Sequence, residues 1–159
     1  MSKKLTVIPE QCSGCRICEL VCAVKHFGVN NPKKSAVRVL TTYPDPAMHK
    51  PVVCSQCEEP ACADACPTDA LQRVDGVVML EEEKCIFCFD CVEACPFEAM
   101  FVHRDYGIPI KCDLCNGDPE CIKKCPKEAL RLIPEATLAR FDLPDNIINY
   151  AQITELDPR

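Results

Sequence analysis

The spacing of the cysteines constrains this chain more than any other feature. All sixteen cysteines fall into four groups of four, with three residues between the third and fourth cysteine of each group. Proline follows the last cysteine of three groups, where its fixed φ ends one conformation and begins another, whereas Ala23 follows the first group. The groups are Cys12, Cys15, Cys18 and Cys22; Cys54, Cys57, Cys62 and Cys66; Cys85, Cys88, Cys91 and Cys95; and Cys112, Cys115, Cys121 and Cys125.

The third group reads C-x2-C-x2-C-x3-C-P, which is the ligand run that binds [4Fe-4S] clusters in bacterial ferredoxins. Two-residue gaps bend the backbone around a cuboidal cluster, so that three thiolates reach three irons. The fourth cysteine lies one helical turn further on and reaches the neighbouring cluster. The sequence therefore predicts four [4Fe-4S] clusters and, since every ligand position is filled, no three-iron cluster.

Two other uses of cysteine fit the sequence less well. A secreted disulfide scaffold would need an export signal, and residues 1–9 lack the apolar stretch of such a signal. Structural zinc binds C-x2-C pairs, but it does not call for cysteine triplets followed by C-P. Iron-sulfur ligation remains the interpretation that uses the whole pattern.

The composition predicts that the cofactors take part in folding. Aromatic residues make up only 6% of the chain and tryptophan is absent, so side chains alone would form a thin core. A length of 159 residues is typical of one domain or two very small ones. We therefore expect metal binding and folding to be coupled, with the metal-free chain largely disordered.

Charge and hydropathy exclude several classes of partner. The formal net charge is −6, and each oxidised cluster with its thiolates adds about two negative charges, which argues against nucleic-acid binding. No run of apolar residues is long enough for a transmembrane helix. We expect a soluble protein without direct membrane insertion, and the cytoplasm is the compartment that suits many thiols awaiting iron.

Local patterns predict short strands and helical turns around the cysteines. A strand over residues 5–8 should end at Pro9, and the helix that contains Cys22 should stop at Gly28. A further strand is predicted over residues 36–40. Asp75 and Gly76 predict the turn of one hairpin, and Tyr106 with Gly107 the turn of another. The last strand should cover residues 129–133.

The C-terminal segment contains no cysteine and allows two interpretations. Helices are predicted over residues 136–141 and 145–156, the second with an apolar stripe. This helix either packs on its own domain or forms an arm that docks on another subunit or on a second copy of the chain. The candidate partner-binding residues are Ile147, Ile148, Tyr150 and Ile153.

No constellation for catalysis accompanies the cysteines. His26, His49 and His103 are isolated from any Ser, Asp or Glu pattern that would indicate a triad, and we expect them on the surface. A substrate site at a cluster would need an incompletely ligated iron, which the complete set of cysteines argues against. The lysines beside the fourth group could raise a local reduction potential, although solvation of these surface side chains would weaken the effect. They are Lys111, Lys123 and Lys124.

With these groups placed, the chain resembles the four-cluster ferredoxin-like electron-transfer subunits of molybdopterin and tungstopterin oxidoreductases, hydrogenases and carbon monoxide dehydrogenases. The resemblance covers residues 5 to about 133. Three stretches look most like the small iron-sulfur subunit of tungsten-dependent aldehyde oxidoreductases. They are the run from Cys12 to Cys22, the following Asn31-Pro32-x-x-Ser35, and the compact run from Lys111 to Cys121.

Spacing alone leaves the pairing of the groups open, because groups two and three, and equally three and four, have ferredoxin-like intervals. The resemblance implies a nested arrangement of four ligand sets. Cluster 1 would take Cys12, Cys15, Cys18 and Cys125; cluster 2 Cys22, Cys112, Cys115 and Cys121; cluster 3 Cys54, Cys57, Cys62 and Cys95; and cluster 4 Cys66, Cys85, Cys88 and Cys91.

The implied fold is α+β, with two pseudosymmetric bacterial-ferredoxin-like halves within residues 1–133 and a C-terminal helical extension over 134–159. The inner half comprises residues 54–96, and the outer half joins residues 5–30 to residues 107–133. Such an arrangement would put the four clusters in one row.

The function implied by the resemblance is the relay of single electrons by a subunit that is not itself an enzyme. Its partners would be a catalytic pterin-containing subunit, of the tungsten aldehyde oxidoreductase type, and a flavin or NAD subunit or a ferredoxin. Two alternatives remain open at this stage. One is an assembly subunit that forms oligomers or filaments, and the other is the electron-transfer subunit of a hydrogenase, a formate dehydrogenase or a carbon monoxide dehydrogenase.

Overall fold

The chain folds into short strands and mostly short helices around its cysteines. The computed structural model describes residues 3–43, 48–139 and 147. The strands are β1 Lys3–Val7, β2 Arg38–Thr42, β3 Met48–Val52, β4 Leu71–Val74, β5 Val77–Leu80, β6 Phe101–His103, β7 Tyr106–Ile110 and β8 Leu130–Pro134. The α-helices are α1 Ile17–Phe27, α2 Ala61–Asp64, α3 Asp90–Glu93, α4 Glu120–Lys123 and α5 Glu135–Leu138. These elements make a ferredoxin-like α+β fold.

In the part of the chain that the structure describes, the strands form four separate two-stranded antiparallel sheets. Three sheets are hairpins between neighbouring strands, namely β2 with β3, β4 with β5 and β6 with β7. The fourth joins the two ends of the ferredoxin-like part, because β1 pairs with β8 so that Lys3 lies opposite Pro134 and Val7 opposite Leu130. The predicted first and last strands are thus confirmed, and they pair with each other.

The first predicted hairpin turn is confirmed and the second is wrong. Asp75 and Gly76 both have positive φ, 51° and 84°, as a two-residue turn between twisted strands requires. The other turn lies before Tyr106 rather than at it. Tyr106 belongs to β7 because its ring packs edge-on against Phe27, with centroids 4.8 Å apart, and its hydroxyl donates to Glu82 Oε1 at 2.8 Å.

The strand β3 was not predicted from the sequence. It contains Pro51, and proline in a run of residues argues against a central strand. Each strand of a two-stranded sheet has one edge that does not pair with the other strand. The nitrogen of Pro51, which carries no hydrogen, lies on the edge of β3 that faces away from β2. Pro51 lies opposite Val39 and is almost fully buried.

The helix α1 is much longer than the other three helices that carry cysteines. Ala23 follows Cys22, so no proline interrupts the helical hydrogen bonds at that point. The helix ends as predicted at Gly28, which has a φ of 65° and donates its backbone N–H to the Val24 carbonyl at 3.0 Å. None of the helices in the described residues is both long and apolar enough to cross a bilayer.

Cysteine sulfurs form part of the core. The largest fully buried side chains include Leu5, Ile8 and Leu130. The main cluster of buried residues also contains five cysteines, which are Cys18, Cys22, Cys54, Cys112 and Cys121. A second cluster surrounds Cys91. The interior is therefore built around thiol groups, as the low aromatic content predicts.

Two predictions concern the C-terminal segment. The first helix is present as α5, Glu135–Leu138, as far as the described residues extend. The second is wrong at Ile147, which forms a parallel bridge with Val7 along the edge of β1 and packs partly buried against the main core. Ile147 therefore contacts its own domain. The other candidate partner residues, Ile148, Tyr150 and Ile153, lie outside the described residues.

Candidate metal centres

Three cysteine groups end in the same turn, with the sequence Cys-Pro-x-x-Ala. The alanine of each turn is buried and donates its backbone N–H to the sulfur four residues earlier. These bonds join Ala70 to Cys66 at 3.3 Å, Ala99 to Cys95 at 3.4 Å and Ala129 to Cys125 at 3.3 Å. The residue before each alanine has a positive φ of 50° to 52°. The turn thus supplies each sulfur with a donor that stabilises the thiolate.

The first group obtains its donor from elsewhere. Because α1 continues beyond Cys22, the Cys-Pro-x-x-Ala turn cannot form there. Cys22 Sγ instead accepts from the backbone N–H of Ala36 at 3.4 Å, and both Ala36 and the preceding Ser35 are buried. The segment that follows α1 therefore supplies Cys22 with a backbone donor, as the Cys-Pro-x-x-Ala turn does for the last cysteine of the other three groups.

Two sets of four cysteines each line a small cavity. The first set combines the first three cysteines of the first group with the last cysteine of the fourth, and the wall also includes apolar side chains such as Val39 and Leu130. The second set combines the first three cysteines of the third group with the last cysteine of the second, beside Leu71 and Leu80. The sulfur lining is Cys12, Cys15, Cys18 and Cys125 in one cavity and Cys66, Cys85, Cys88 and Cys91 in the other.

The remaining eight cysteines also lie close enough to affect one another's ionisation. Burial raises the pKa of Cys57 and Cys62, and negative charge on Cys54 and Cys95 raises both further. Burial likewise raises the pKa of Cys115 and Cys121, and negative charge on Cys22 raises the pKa of both further. Negative charge on Cys121 and on Cys54 also raises the pKa of Cys112, so a sulfur of the second group lies near a sulfur of the fourth.

Most of these thiols are poor anions without a metal. Burial raises the pKa of Cys18 and Cys121 to about 12 and that of Cys62 and Cys91 to about 11. Cys66 differs, because hydrogen bonds from Thr68 and Ala70 outweigh the effect of burial and lower its pKa. A metal that binds these sets must therefore displace protons from most of its ligands.

The residues present fit [4Fe-4S] clusters. Four sulfurs converge in each cavity, the other wall atoms are largely apolar, and backbone N–H groups point at sulfur. Thiolate ligation, hydrogen bonds to sulfur and exclusion of water are the features by which proteins hold such clusters and adjust their potentials. The assignment of each cysteine to an individual cluster remains a proposal.

Exposure distinguishes two cysteines from the rest. Among the sixteen cysteines, all of which the structure describes, Cys15 and Cys88 are exposed and the others are buried or half-buried. Cys15 belongs to the first cavity and Cys88 to the second. The two sulfur-lined cavities therefore each have one cysteine at the protein surface.

The structure places two basic residues against sulfur that the sequence placed on the surface. His26 Nε2 lies 3.5 Å from Cys115 Sγ and 3.5 Å from Asp113 Oδ1, although 89 positions separate His26 from Cys115. Lys111 is partly buried, and its Nζ lies 3.3 Å from Cys54 Sγ. No local pattern indicates either contact, because each depends on the packing of distant segments.

The other two histidines have structural contacts. His49 Nδ1 lies 2.9 Å from Thr41 Oγ1 across the β2–β3 hairpin, and its ring fills the space beside Gly14. His103 Nδ1 lies 3.7 Å from a carboxylate oxygen of Asp105, near the turn between β6 and β7.

Comparison with known proteins gives a family match and similar chains. A family described as a 4Fe-4S dicluster domain matches residues 47–135. The aliphatic sulfonate oxidoreductase polyferredoxin-like subunit of Pyrococcus furiosus is 39% identical over 81% of this chain and 76% of its own. The putative electron transport protein YsaA of Escherichia coli is 36% identical over 90% of this chain and 97% of its own.

A solved structure is also similar. One chain of the active site complex BamBC of benzoyl coenzyme A reductase, solved with 1,5-dienoyl-CoA, is 28% identical to this chain. The similarity has a TM-score of 0.50 and covers 87% of this chain and 90% of the other. These three matches each cover four fifths or more of this chain.

Proposed function

This chain belongs to the 4Fe-4S dicluster domain family, and we propose that it is a non-catalytic electron-transfer subunit whose clusters form one conducting row. Its sixteen cysteines bind multiple [4Fe-4S] clusters. A bound cluster of this kind supplies reversible one-electron chemistry. The observation that carries the proposal is the gathering of all sixteen cysteines, from four separate sequence groups, into neighbouring sets of sulfurs.

We assign the ligands of four clusters in the nested arrangement. The cavity-lining sulfurs support clusters 1 and 4, and the mutual effects on ionisation support clusters 2 and 3. The sets are Cys12, Cys15, Cys18 and Cys125 for cluster 1; Cys22, Cys112, Cys115 and Cys121 for cluster 2; Cys54, Cys57, Cys62 and Cys95 for cluster 3; and Cys66, Cys85, Cys88 and Cys91 for cluster 4.

The order of the row follows from contacts between neighbouring sets. Charge on Cys18 affects Cys121, which supports a junction between clusters 1 and 2. Charge on Cys54 affects Cys112, which supports a junction between clusters 2 and 3. Helix α2 carries Cys62 one turn before Cys66, so it would link clusters 3 and 4. Each half would then hold two clusters, in line with two pseudosymmetric ferredoxin-like units and a separate extension over 134–159.

The protein's part in conduction is to hold, shield and expose sulfur at defined places. Backbone N–H groups of Ala70, Ala99 and Ala129 stabilise thiolate charge, and buried side chains exclude water from the interior. Cys15 and Cys88 bring the two ends of the row to the surface, where partner redox groups can approach. Because cysteine fills every ligand position, the chain offers no open iron for a substrate.

The partner that we favour is a catalytic pterin-containing oxidoreductase subunit of the tungsten aldehyde oxidoreductase type. The cysteine run from Cys12 to Cys22 and the compact fourth group carry this narrower resemblance. A similar chain in Pyrococcus furiosus is named as the polyferredoxin-like subunit of an aliphatic sulfonate oxidoreductase, which supports an oxidoreductase partner in general. A flavin or NAD subunit or a ferredoxin would exchange electrons at the other end.

Electron counting tests the proposed function. The reconstituted chain should take up about four electrons from a low-potential titrant, one for each cluster, and should return them to an electron acceptor. It should not oxidise an aldehyde when supplied alone with an acceptor dye. Uptake of only two electrons, or aldehyde oxidation by the isolated chain, would contradict the proposal.

A further inference from the structure

The side chain of Lys111 lies at the boundary between the inner and outer halves. Its Nζ donates to Cys54 Sγ at 3.3 Å, to Gln56 Oε1 at 3.4 Å and to the Cys112 carbonyl at 3.0 Å. The side chain is partly buried. The sequence indicated that Lys111 could raise a local reduction potential but that solvation would weaken this effect. The expected solvation is wrong, because three acceptors from two cysteine groups surround the ammonium.

Gln56 fixes the position of this ammonium group. Its side chain is fully buried, its Nε2 donates to the Cys112 carbonyl at 2.9 Å, and its Oε1 accepts from Val78 N at 2.8 Å. The nitrogen and the oxygen of the side-chain amide thereby each have a hydrogen-bond partner. Since Gln56 and Val78 belong to the inner half and Cys112 to the outer, the amide connects the halves and holds an acceptor in place for Lys111.

The lysine lies beside ligands of both middle clusters. Its Nζ lies 3.3 Å from Sγ of Cys54, which belongs to the assigned cluster 3, and 3.0 Å from the carbonyl oxygen of Cys112, which belongs to cluster 2. A cation that stabilises added negative charge on a set of thiolates also stabilises an added electron there.

We propose that Lys111, positioned by Gln56, raises the reduction potentials of the two middle clusters. These clusters would then accept an electron more readily than they would without the lysine. This inference rests on the proposed function and on its ligand assignment. Lys111 acts through the thiolates, so it is a positioning residue and not a ligand.

Substitution of Lys111 tests the inference through the potentials themselves. Lys111→Met removes the charge and the hydrogen bonds but keeps a long side chain, whereas Lys111→Arg keeps the charge. Lys123→Met is the matched control, because Lys123 is exposed and its ammonium pairs with the carboxylates of Asp118 and Glu120. Each variant is reconstituted, its iron is counted, and its clusters are titrated by paramagnetic resonance at controlled potential.

We expect Lys111→Met to lower two of the four midpoint potentials, each by at least a tenfold change in the reduction equilibrium, which is about 59 mV for one electron. Lys111→Arg should restore most of the shift, and Lys123→Met should leave all four potentials unchanged. Four unshifted potentials, or an equal shift of all four, in Lys111→Met with full iron would overturn the inference.

If Lys111→Met loses iron, a second variant is measured in its place. This variant, Lys111→Gln, keeps polar contacts without the charge. If Lys111→Gln retains iron, its potentials decide the question in the same way. If Lys111→Gln also loses iron while Lys111→Arg retains it, Lys111 has a structural role and the inference fails. A wild-type chain with fewer than four reducible clusters would instead contradict the proposed function, so the two failures are distinguishable.

Discussion

Two regions of the chain bring cysteines together in different ways, and the names inner half and outer half are used here for residues 54–96 and for residues 5–30 with 107–133. In the inner half, the second and third cysteine groups are joined by the short β4–β5 hairpin, and both end in the Cys-Pro-x-x-Ala turn. In the outer half, the first and fourth groups lie near opposite ends of the sequence. They are joined by pairing of β1 with β8 and by packing of α1 on α4. Cysteines are thus brought together by local structure in one half and by long-range packing in the other.

The outer half also uses a buried polar contact that has no counterpart in α3. Glu19 follows the third cysteine of its group and is almost fully buried, and its Oε1 accepts from Val39 N at 2.6 Å. In the inner half, Val92 holds the corresponding position after Cys91. The contact ties α1 to β2, which in turn covers the first cavity. The outer half therefore depends on more residues distant in sequence.

Removal of iron should have the largest effect, and it should affect both halves unequally. Because cysteine sulfurs form much of the core, chelation under reducing conditions should abolish the cooperative fold. The β4–β5 hairpin depends on a local turn, whereas β1 and β8 must meet across the chain. Amide hydrogen exchange during chelation should therefore show the β1–β8 pair losing protection first. Retained native circular dichroism in the iron-free chain would contradict the account.

Substitution of the third cysteine in each half should separate the two regions. Cys18→Ser and Cys91→Ser should each cost about four iron per chain, the content of one cluster. Cys18→Ser should also expose the β1–β8 pair to exchange, since cluster 1 would use Cys125 near β8. Cys91→Ser should leave that pair protected. Equal loss of protection in both variants would show that the halves do not differ as described.

Loss of the Glu19 carboxylate should destabilise the outer half through an unpaired backbone donor. Glu19→Ala leaves the buried Val39 N–H without its acceptor, so we expect a loss of about 2–3 kcal/mol in the free energy of unfolding. Glu19→Gln keeps an acceptor oxygen and should cost less.

The matched control for Glu19 is Glu93→Ala on helix α3, where the side chain is exposed. This change should stay within about 0.5 kcal/mol in anaerobic denaturant unfolding of the loaded protein. If Glu19→Ala were as stable as Glu93→Ala, the buried contact between Glu19 and Val39 would not stabilise the protein.

The smallest predicted effect concerns the β2–β3 hairpin over the first cavity. Gly14 has a φ of 71°, and a Cβ there would lie 2.6 Å from the His49 ring. Gly28 has a similar φ of 65° with nothing within 4 Å of its Cβ position, so Gly28→Ala measures the backbone cost alone.

In the same unfolding experiment, Gly14→Ala should lower the free energy of unfolding by about 1–2 kcal/mol more than Gly28→Ala does, because the His49 ring must move. Truncation of the ring in a His49→Ala background should abolish the difference. If the difference in free energy of unfolding persists in the His49→Ala background, the strain does not come from contact with the hairpin.

The sequence predicted the parts of the fold that depend on local signals. Cysteine spacing predicts iron-sulfur ligation but leaves the pairing of the groups open. Asp75-Gly76 predicts a turn because both residues take positive φ, and Gly28 predicts the end of α1. Long-range contacts escaped prediction. Tyr106 is held in β7 by Phe27 and Glu82, and Ile147 bridges to Val7 instead of lying in a helix. The positions of Lys111 and His26 against sulfur also depend on segments far apart in the chain.

The central claim is that sixteen cysteines hold four [4Fe-4S] clusters in one row. Anaerobic iron and acid-labile sulfide analysis, combined with low-temperature paramagnetic resonance during a redox titration, tests it most directly. The account predicts about sixteen iron and sixteen sulfide per chain, with magnetically interacting signals from neighbouring clusters. Zinc in place of iron, a stoichiometric three-iron signal, or iron for only two clusters would contradict it.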